Sequence, residues 1–136
     1  MRGQIVILMA TALIESKGKH LVLKRSNRNL TNRGRWQFPE GKVKFGEDLI
    51  KALKREVEEE TSLVVTDAKL IGIHSSILKE ANGAFRIFRS IFRCKVVGRI
   101  RLSDEHTEYA WIDKKGLEKL TFLEGFNLND IISVKR

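Results

Sequence analysis

The sequence predicts an α+β domain, an α/β/α sandwich in layers around a mixed sheet. Two observations carry this. Runs of alternating apolar and polar residues lie on both sides of one stretch, residues 47–60, that has helical periodicity and neither Gly nor Pro. Further helical patterns follow the last strand, so strands and helices are segregated as a layered fold requires. With 136 residues and 42% hydrophobic content, the length fits a single domain, residues 1–136.

Residues 4–14 read as a first strand, residues 16–19 as a turn and residues 20–24 as a second strand, together a hairpin. The apolar start is about ten residues long, lacks a small-residue cleavage site and runs into Glu15, Lys17 and Lys19. It is too short to span a bilayer, which leads to the expectation of a soluble, cytoplasmic protein with no membrane partner. The single cysteine, Cys94, excludes an internal disulfide, no Cys/His cluster offers a zinc site, and a core position in a reducing compartment is expected for it.

Residues 26–35 are polar and, with Arg25, Arg28, Arg33 and Arg35, form a loop of concentrated positive charge. Residues 36–38 alternate as a short strand, and residues 39–41 read as a turn in which Gly41 suits a close approach of main chain to ligand. The long helix follows and should stop near Ser62, where a left-handed cap on serine costs about 1 kcal/mol. Residues 64–78 are strand-like, residues 80–84 a hairpin turn, and residues 85–97 a long strand. In that strand Phe88, Ser90, Phe92, Cys94 and Val96 fall on a core face, and Arg89 and Arg93 are expected to meet water. A loop over 98–107, a last strand over 109–112 and short helices over 114–120 and 127–134 complete the chain, with no repeats or low-complexity tracts.

The helix carries the chemistry. Leu49, Leu53 and Val57 recur at i, i+4 and i+8 beside Ala52, while Glu56, Glu59 and Glu60 overlap the buried edge of that stripe and Glu58 faces water with Lys51 and Lys54. Glu56 and Glu60, four residues apart, repel each other. Arg55 is expected to reach only the flank of the stripe, so a divalent cation taking carboxylate oxygens fits the cluster better. The formal net charge is +9, yet residues 47–60 hold six acids against three bases. An acidic stripe in a basic body is what a polyphosphate site needs.

Gly41, Glu47, Arg55, Glu56, Val57, Glu59, Glu60 and Leu63 stand at the spacings of the Nudix box, G-x5-E-x7-R-E-U-x-E-E-x-G-U with U a bulky aliphatic residue. Ser62 replaces the second glycine. Over residues 41–63 the chain therefore resembles the Nudix hydrolases of the small MutT-like kind, and the resemblance implies the Nudix fold across nearly the whole chain. It further implies Mg²⁺ or Mn²⁺ held by Glu56, Glu59, Glu60 and the Gly41 carbonyl, with Glu47 and Arg55 orienting the helix. A fourth acid is expected from the loop before the last strand: Glu105, six residues before Trp111, with Asp104 and Glu108 as competitors and His106 as an alternative base. Arg25, Phe38 and Asn127 are the implied substrate-facing residues, Arg25 near the nucleotide phosphates and Asn127 reading the base unless it caps a helix. Many relatives have Pro-Gly-Gly where this chain has Glu40, an acid that adds a ligand or restricts the base pocket.

The implied reaction is attack of water on a phosphorus of a small nucleotide. A proline about fifteen residues past the box marks many relatives acting on ADP-ribose, and a tyrosine about seventeen past it those acting on diadenosine polyphosphates; residues 78–81 contain neither. What remains resembles the (deoxy)nucleoside triphosphate pyrophosphohydrolases, giving a nucleoside monophosphate and pyrophosphate, some of which clear oxidised guanine nucleotides. Two alternatives differ in class. One is a nucleic-acid binder on the same fold, using Arg86, Arg89, Arg93, Arg99 and Arg101, although aromatic residues on that stretch lie opposite the arginines and offer no interleaved stacking platform. The other is an RNA cap-removing hydrolase. The expected assembly is a monomer or a homodimer.

Overall fold

The computed structural model describes residues 4–29, 31–80 and 83–132. The elements in chain order are β1 (Gln4–Ser16), β2 (Lys19–Arg25), β3 (Trp36–Gln37), β4 (Glu40–Lys42), α1 (Leu49–Thr61), β5 (Val64–Glu80), β6 (Gly83–Val97), β7 (His106–Ile112), α2 (Lys114–Leu117) and α3 (Leu128–Ile132). β1 is the spine. It turns into β2 through Lys17 and Gly18, both at positive φ, the turn geometry that matches the twist of paired strands. The strand order is β3-β2-β1-β6-β5, with β4 also on β1 and β7 on β2. β1 and β6 run parallel, from Gln4 opposite Ala84 to Ile14 opposite Cys94, and the other pairs are antiparallel. The sheet is mixed, as expected.

Residues 39–41 are not a turn. Glu40, Gly41 and Lys42 pair with Thr11, Ala10 and Met9. Pro39, which has no N–H to give, enters this short strand at its start and offers its carbonyl to Ala12 N–H at 2.9 Å. The turn expected over residues 80–84 includes 81 and 82, which lie outside the described residues; Glu80 and Gly83 pair across it. Residues 133 and 134 of the last expected helix also lie outside them.

The core is two-sided. Ala10, Ala12, Ile14, Phe92 and Cys94 pack under α1 through Leu53 and Val57. Leu13 and Ile91, on the opposite face, pack with Leu117, Phe122, Ile131 and Ile132. With both faces covered, Arg89 is enclosed beneath the second layer and only 6% exposed. Its Nε and Nη2 donate to Glu40 Oε1 and Oε2 at 2.9 and 3.3 Å, and Thr11 Oγ1 donates to the same Oε1 at 2.7 Å. The guanidinium carbon lies 4.9 Å from the Phe126 ring centroid. A buried ion pair of this kind needs such extra partners to offset the desolvation of both charges.

Helix α1 begins two residues into the acidic stretch because Asp48 caps it, accepting Lys51 N–H at 2.8 Å. It ends on Ser62 at φ 67°, the left-handed cap foreseen for that position. Ser62 N–H donates to Glu58 O, and Ser62 Oγ donates to Arg101 O at 3.0 Å, which offsets part of the strain. No described helix is long and apolar enough to cross a membrane.

Candidate active site

A cleft of about 560 Å³ opens where β4, α1 and the segment leading into β7 meet; Gly41, Glu56, Glu60, Glu105 and Arg25 all line it. Each arrives for a local reason. Gly41 leaves room for the Glu56 carboxyl group, which a Cβ at that position would push aside. Glu60, on the buried edge of α1, reaches back so that Oε1 accepts Glu40 N–H at 3.2 Å. Arg25 sits at a register shift between β2 and β7, a bulge that re-aims the strand's last side chain. It donates to Gln37 Oε1 at 3.0 Å and to Thr31 O at 3.2 Å.

The loop after β2 fastens the segment that carries the fourth acid. Ser26 N–H and Asn29 Nδ2 both donate to Glu105 O at 2.8 Å, and Ser26 Oγ donates to Asp104 O at 2.8 Å. The competitors for the fourth-acid role are engaged elsewhere: Asp104 pairs with Arg28 at 2.6 Å and Glu108 with Lys24 at 3.5 Å. Among the described residues Glu105 has no cationic side chain at ion-pair distance.

Arg55 reaches further than its place on the helix wheel suggests. Its long side chain folds over the acidic stripe, donating to Glu47 at 2.7 and 2.9 Å, to Glu56 Oε2 at 2.7 Å and to Lys42 O at 3.0 Å. Glu59 stands 3.4 Å from it at the rim, its side chain 57% exposed and outside the cleft lining. The Arg55 guanidinium holds the Glu47 carboxyl down at about 2. Burial pushes Glu56 up, against the pull of Arg55. Glu60 is pushed well above the carboxylate range by burial first, then by the charges of Glu56 and Glu40. A buried carboxylate with acids around it and no described cationic partner is a set that a divalent cation completes. The donors are all suited to one: Glu60, Glu105 and His106 place one ligand atom each within 4.8 Å of one another.

Two of the expected substrate-facing residues sit elsewhere. Phe38 is fully buried, 5.6 and 5.9 Å from the Phe122 and Phe126 centroids, and forms part of the core beneath the cleft. Asn127 lines a separate hollow of about 630 Å³ under residues 117–129, and its Oδ1 accepts Asn129 N–H at 3.1 Å at the start of α3, a helix cap. Apolar side chains of Ile7, Met9, Leu78, Ile87 and Leu123 line the cleft instead. Sequence reasoning offered His106 as an alternative base in a loop, yet it opens β7, is 4% exposed, and has its ring pushed down to about 4 by burial and by the Arg25 charge. The Glu40–Arg89 pair and the Ser26 and Asn29 clamp were also missed, since no local pattern links residues 49 and 76 or more positions apart.

The NUDIX domain profile matches residues 6–127. The chain is 32% identical over 111 residues to an ADP-ribose pyrophosphatase of Methanocaldococcus jannaschii, covering 81% of this chain and 63% of that one; it thus spans less than two thirds of that relative's length. Among solved structures, a MutT protein from Methanosarcina mazei Go1 superposes with a TM-score of 0.74 at 32% identity, covering 96% of this chain and 92% of that one. A MutT NUDIX hydrolase from Burkholderia pseudomallei shares the fold with a TM-score of 0.73 at 23% identity, covering 95% of each chain.

Proposed function

This chain belongs to the Nudix family, and on that footing we propose that it is a cation-dependent hydrolase of nucleoside diphosphate-linked compounds. Its preferred substrates on this reading are (deoxy)nucleoside triphosphates, oxidised guanine nucleotides included, cleaved to the monophosphate and pyrophosphate. The observation that carries the reading is the convergence of Glu56, Glu60 and Glu105 on Gly41 in one cleft with Arg25. Bound there, Mg²⁺ or Mn²⁺ would polarise phosphate oxygens and neutralise charge on the departing group. Glu56, Glu60, Glu105 and the Gly41 carbonyl are the residues to hold it, with Glu59 at the rim. Arg55 and Glu47 hold Glu56 in place, and Arg25 draws the polyphosphate to the carboxylate end of the cleft. Ile7, Met9, Ile87 and Leu123 offer the base an apolar surface.

A second substrate, ADP-ribose, is favoured by the likeness to the Methanocaldococcus ADP-ribose pyrophosphatase; its products would be AMP and ribose 5-phosphate. One experiment separates the two. Nucleoside di- and triphosphates, oxidised ones and ADP-ribose are incubated with the protein in H₂¹⁸O, and both products are weighed by mass spectrometry. Mg²⁺-dependent release of pyrophosphate supports the first reading, and labelled AMP from ADP-ribose the second. Salt-sensitive RNA retention with no turnover of any nucleotide would replace both with the binding module. Glu60→Gln should lower turnover more than about 100-fold, roughly 3 kcal/mol in barrier.

A further inference from the structure

Three bonds around Gln37 settle the proton of a buried histidine. Gln37 Nε2 donates to Phe38 O at 3.2 Å and Gln37 Oε1 accepts Arg25 Nη1 at 3.0 Å, so the amide oxygen faces His106 Nε2, 3.1 Å away. An oxygen already accepting from Arg25 can only accept again, so His106 donates from Nε2 and carries its lone pair on Nδ1. Nδ1 is buried and has no hydrogen-bond partner among the described residues. A ring nitrogen of this histidine shares a 4.8 Å cluster with one oxygen each from Glu60 and Glu105. One coordination shell, with bonds of about 2.0–2.2 Å, puts opposed donors about 4.0–4.4 Å apart, so these three atoms would need to draw in by a few tenths of an ångström at most to share one ion. Among the described residues, the Glu60 carboxyl group accepts from Glu40 N–H alone. The set is rich in acceptors and short of anything to accept from.

We propose that His106 is itself a ligand of the cation site, so that Glu60, Glu105 and His106 form a mixed nitrogen–oxygen set selecting manganese, cobalt or zinc over magnesium. The proposal rests on the hydrolase reading for the site's location, and it concerns which ion that site prefers. Imidazole nitrogen suits the later first-row ions, whereas Mg²⁺ takes oxygen donors and keeps much of its water. The bond from Nε2 to Gln37 fixes the ring's orientation and tautomer, as the outer partner of a metal-bound histidine does.

The full chain is loaded with Mn²⁺ alone and examined by electron spin-echo envelope modulation. A ¹⁴N coupling of a directly bound imidazole is expected, and its loss in His106→Gln, together with about a tenfold weaker Mn²⁺ affinity and an Mg²⁺ affinity changed less than about twofold. A second measurement needs no variant: in wild-type protein with ¹⁵N-labelled histidine, Zn²⁺ should shift one ring nitrogen of His106 and Mg²⁺ should not. Mn²⁺ bound with no nitrogen coupling, or a His106 ring untouched by Zn²⁺, overturns the proposal. Neither result depends on turnover. A protein that shows the nitrogen signal yet hydrolyses no nucleotide would refute the hydrolase reading and leave the ligand assignment standing.

Discussion

At the scale of single residues, neighbours decide what each side chain can do. Glu47 and Glu60 are both glutamates of one motif, yet Arg55 holds the first down at about 2 while burial pushes the second up. For Glu47 the sign follows directly: a depressed carboxyl contributes stability that is complete above its ordinary value of 4.5 and is lost as pH falls from there through about 2. Between pH 5 and 2, the melting temperature of wild type should therefore fall more steeply than that of Glu47→Gln, with equal slopes as the contrary result. Phe38 makes a different point. Fully buried among aliphatic side chains and the Phe122 and Phe126 rings, it should cost about 3–5 kcal/mol when cut to alanine. Phe38→Leu should preserve the ratio of kcat/KM values between nucleotides; a changed base preference would return it to the substrate pocket.

At the scale of elements, the helix was legible and its ends nearly so. Leu49, Leu53 and Val57 keep step with the helical repeat, and Asp48 and Ser62 bracket them as caps. The serine cap invites a paired test. Ser62→Gly removes the left-handed strain but also the bond to Arg101 O, so the two changes nearly cancel. Ser62→Ala keeps the strain and loses the bond, and should unfold about 1 kcal/mol more easily than the glycine variant by urea titration. Strand β4 was not legible. Three residues after a proline carry too little periodicity to distinguish a short ladder from a turn, and only the pairing partner, β1, decides. Arg89 was misplaced for a related reason: alternation along β6 separates two faces but does not say that both are covered. Glu105 could be proposed from spacing, yet its preference over Asp104 and Glu108 rests on Arg28 and Lys24, which come from distant parts of the chain.

At the scale of the whole molecule, one buried pair ties the layers together. Glu40 on β4, Arg89 on β6, Thr11 on β1 and the Phe126 ring near the C-terminal helix meet at a single point. Removing either charge alone strands the other away from water, so Glu40→Leu and Arg89→Met should each cost about 3–5 kcal/mol. Glu40→Leu combined with Arg89→Met should cost clearly less than the sum, by chemical denaturation of all four proteins; simple additivity would show that the charges are not coupled.

Strand β5 has a consequence of its own. It is seventeen residues long and, among the described residues, pairs with β6 alone, so its outer margin presents a row of peptide groups with no described strand beside it, flanked by half-exposed Leu70, Ile73 and Ile77. Such a margin is a template on which foreign or misfolded chains can grow, the first step towards fibrils. Register offsets between Val65 and Asp67 and between Leu70 and Gly72 break it into short runs. Straightening those offsets would leave one long continuous template for cross-β deposits.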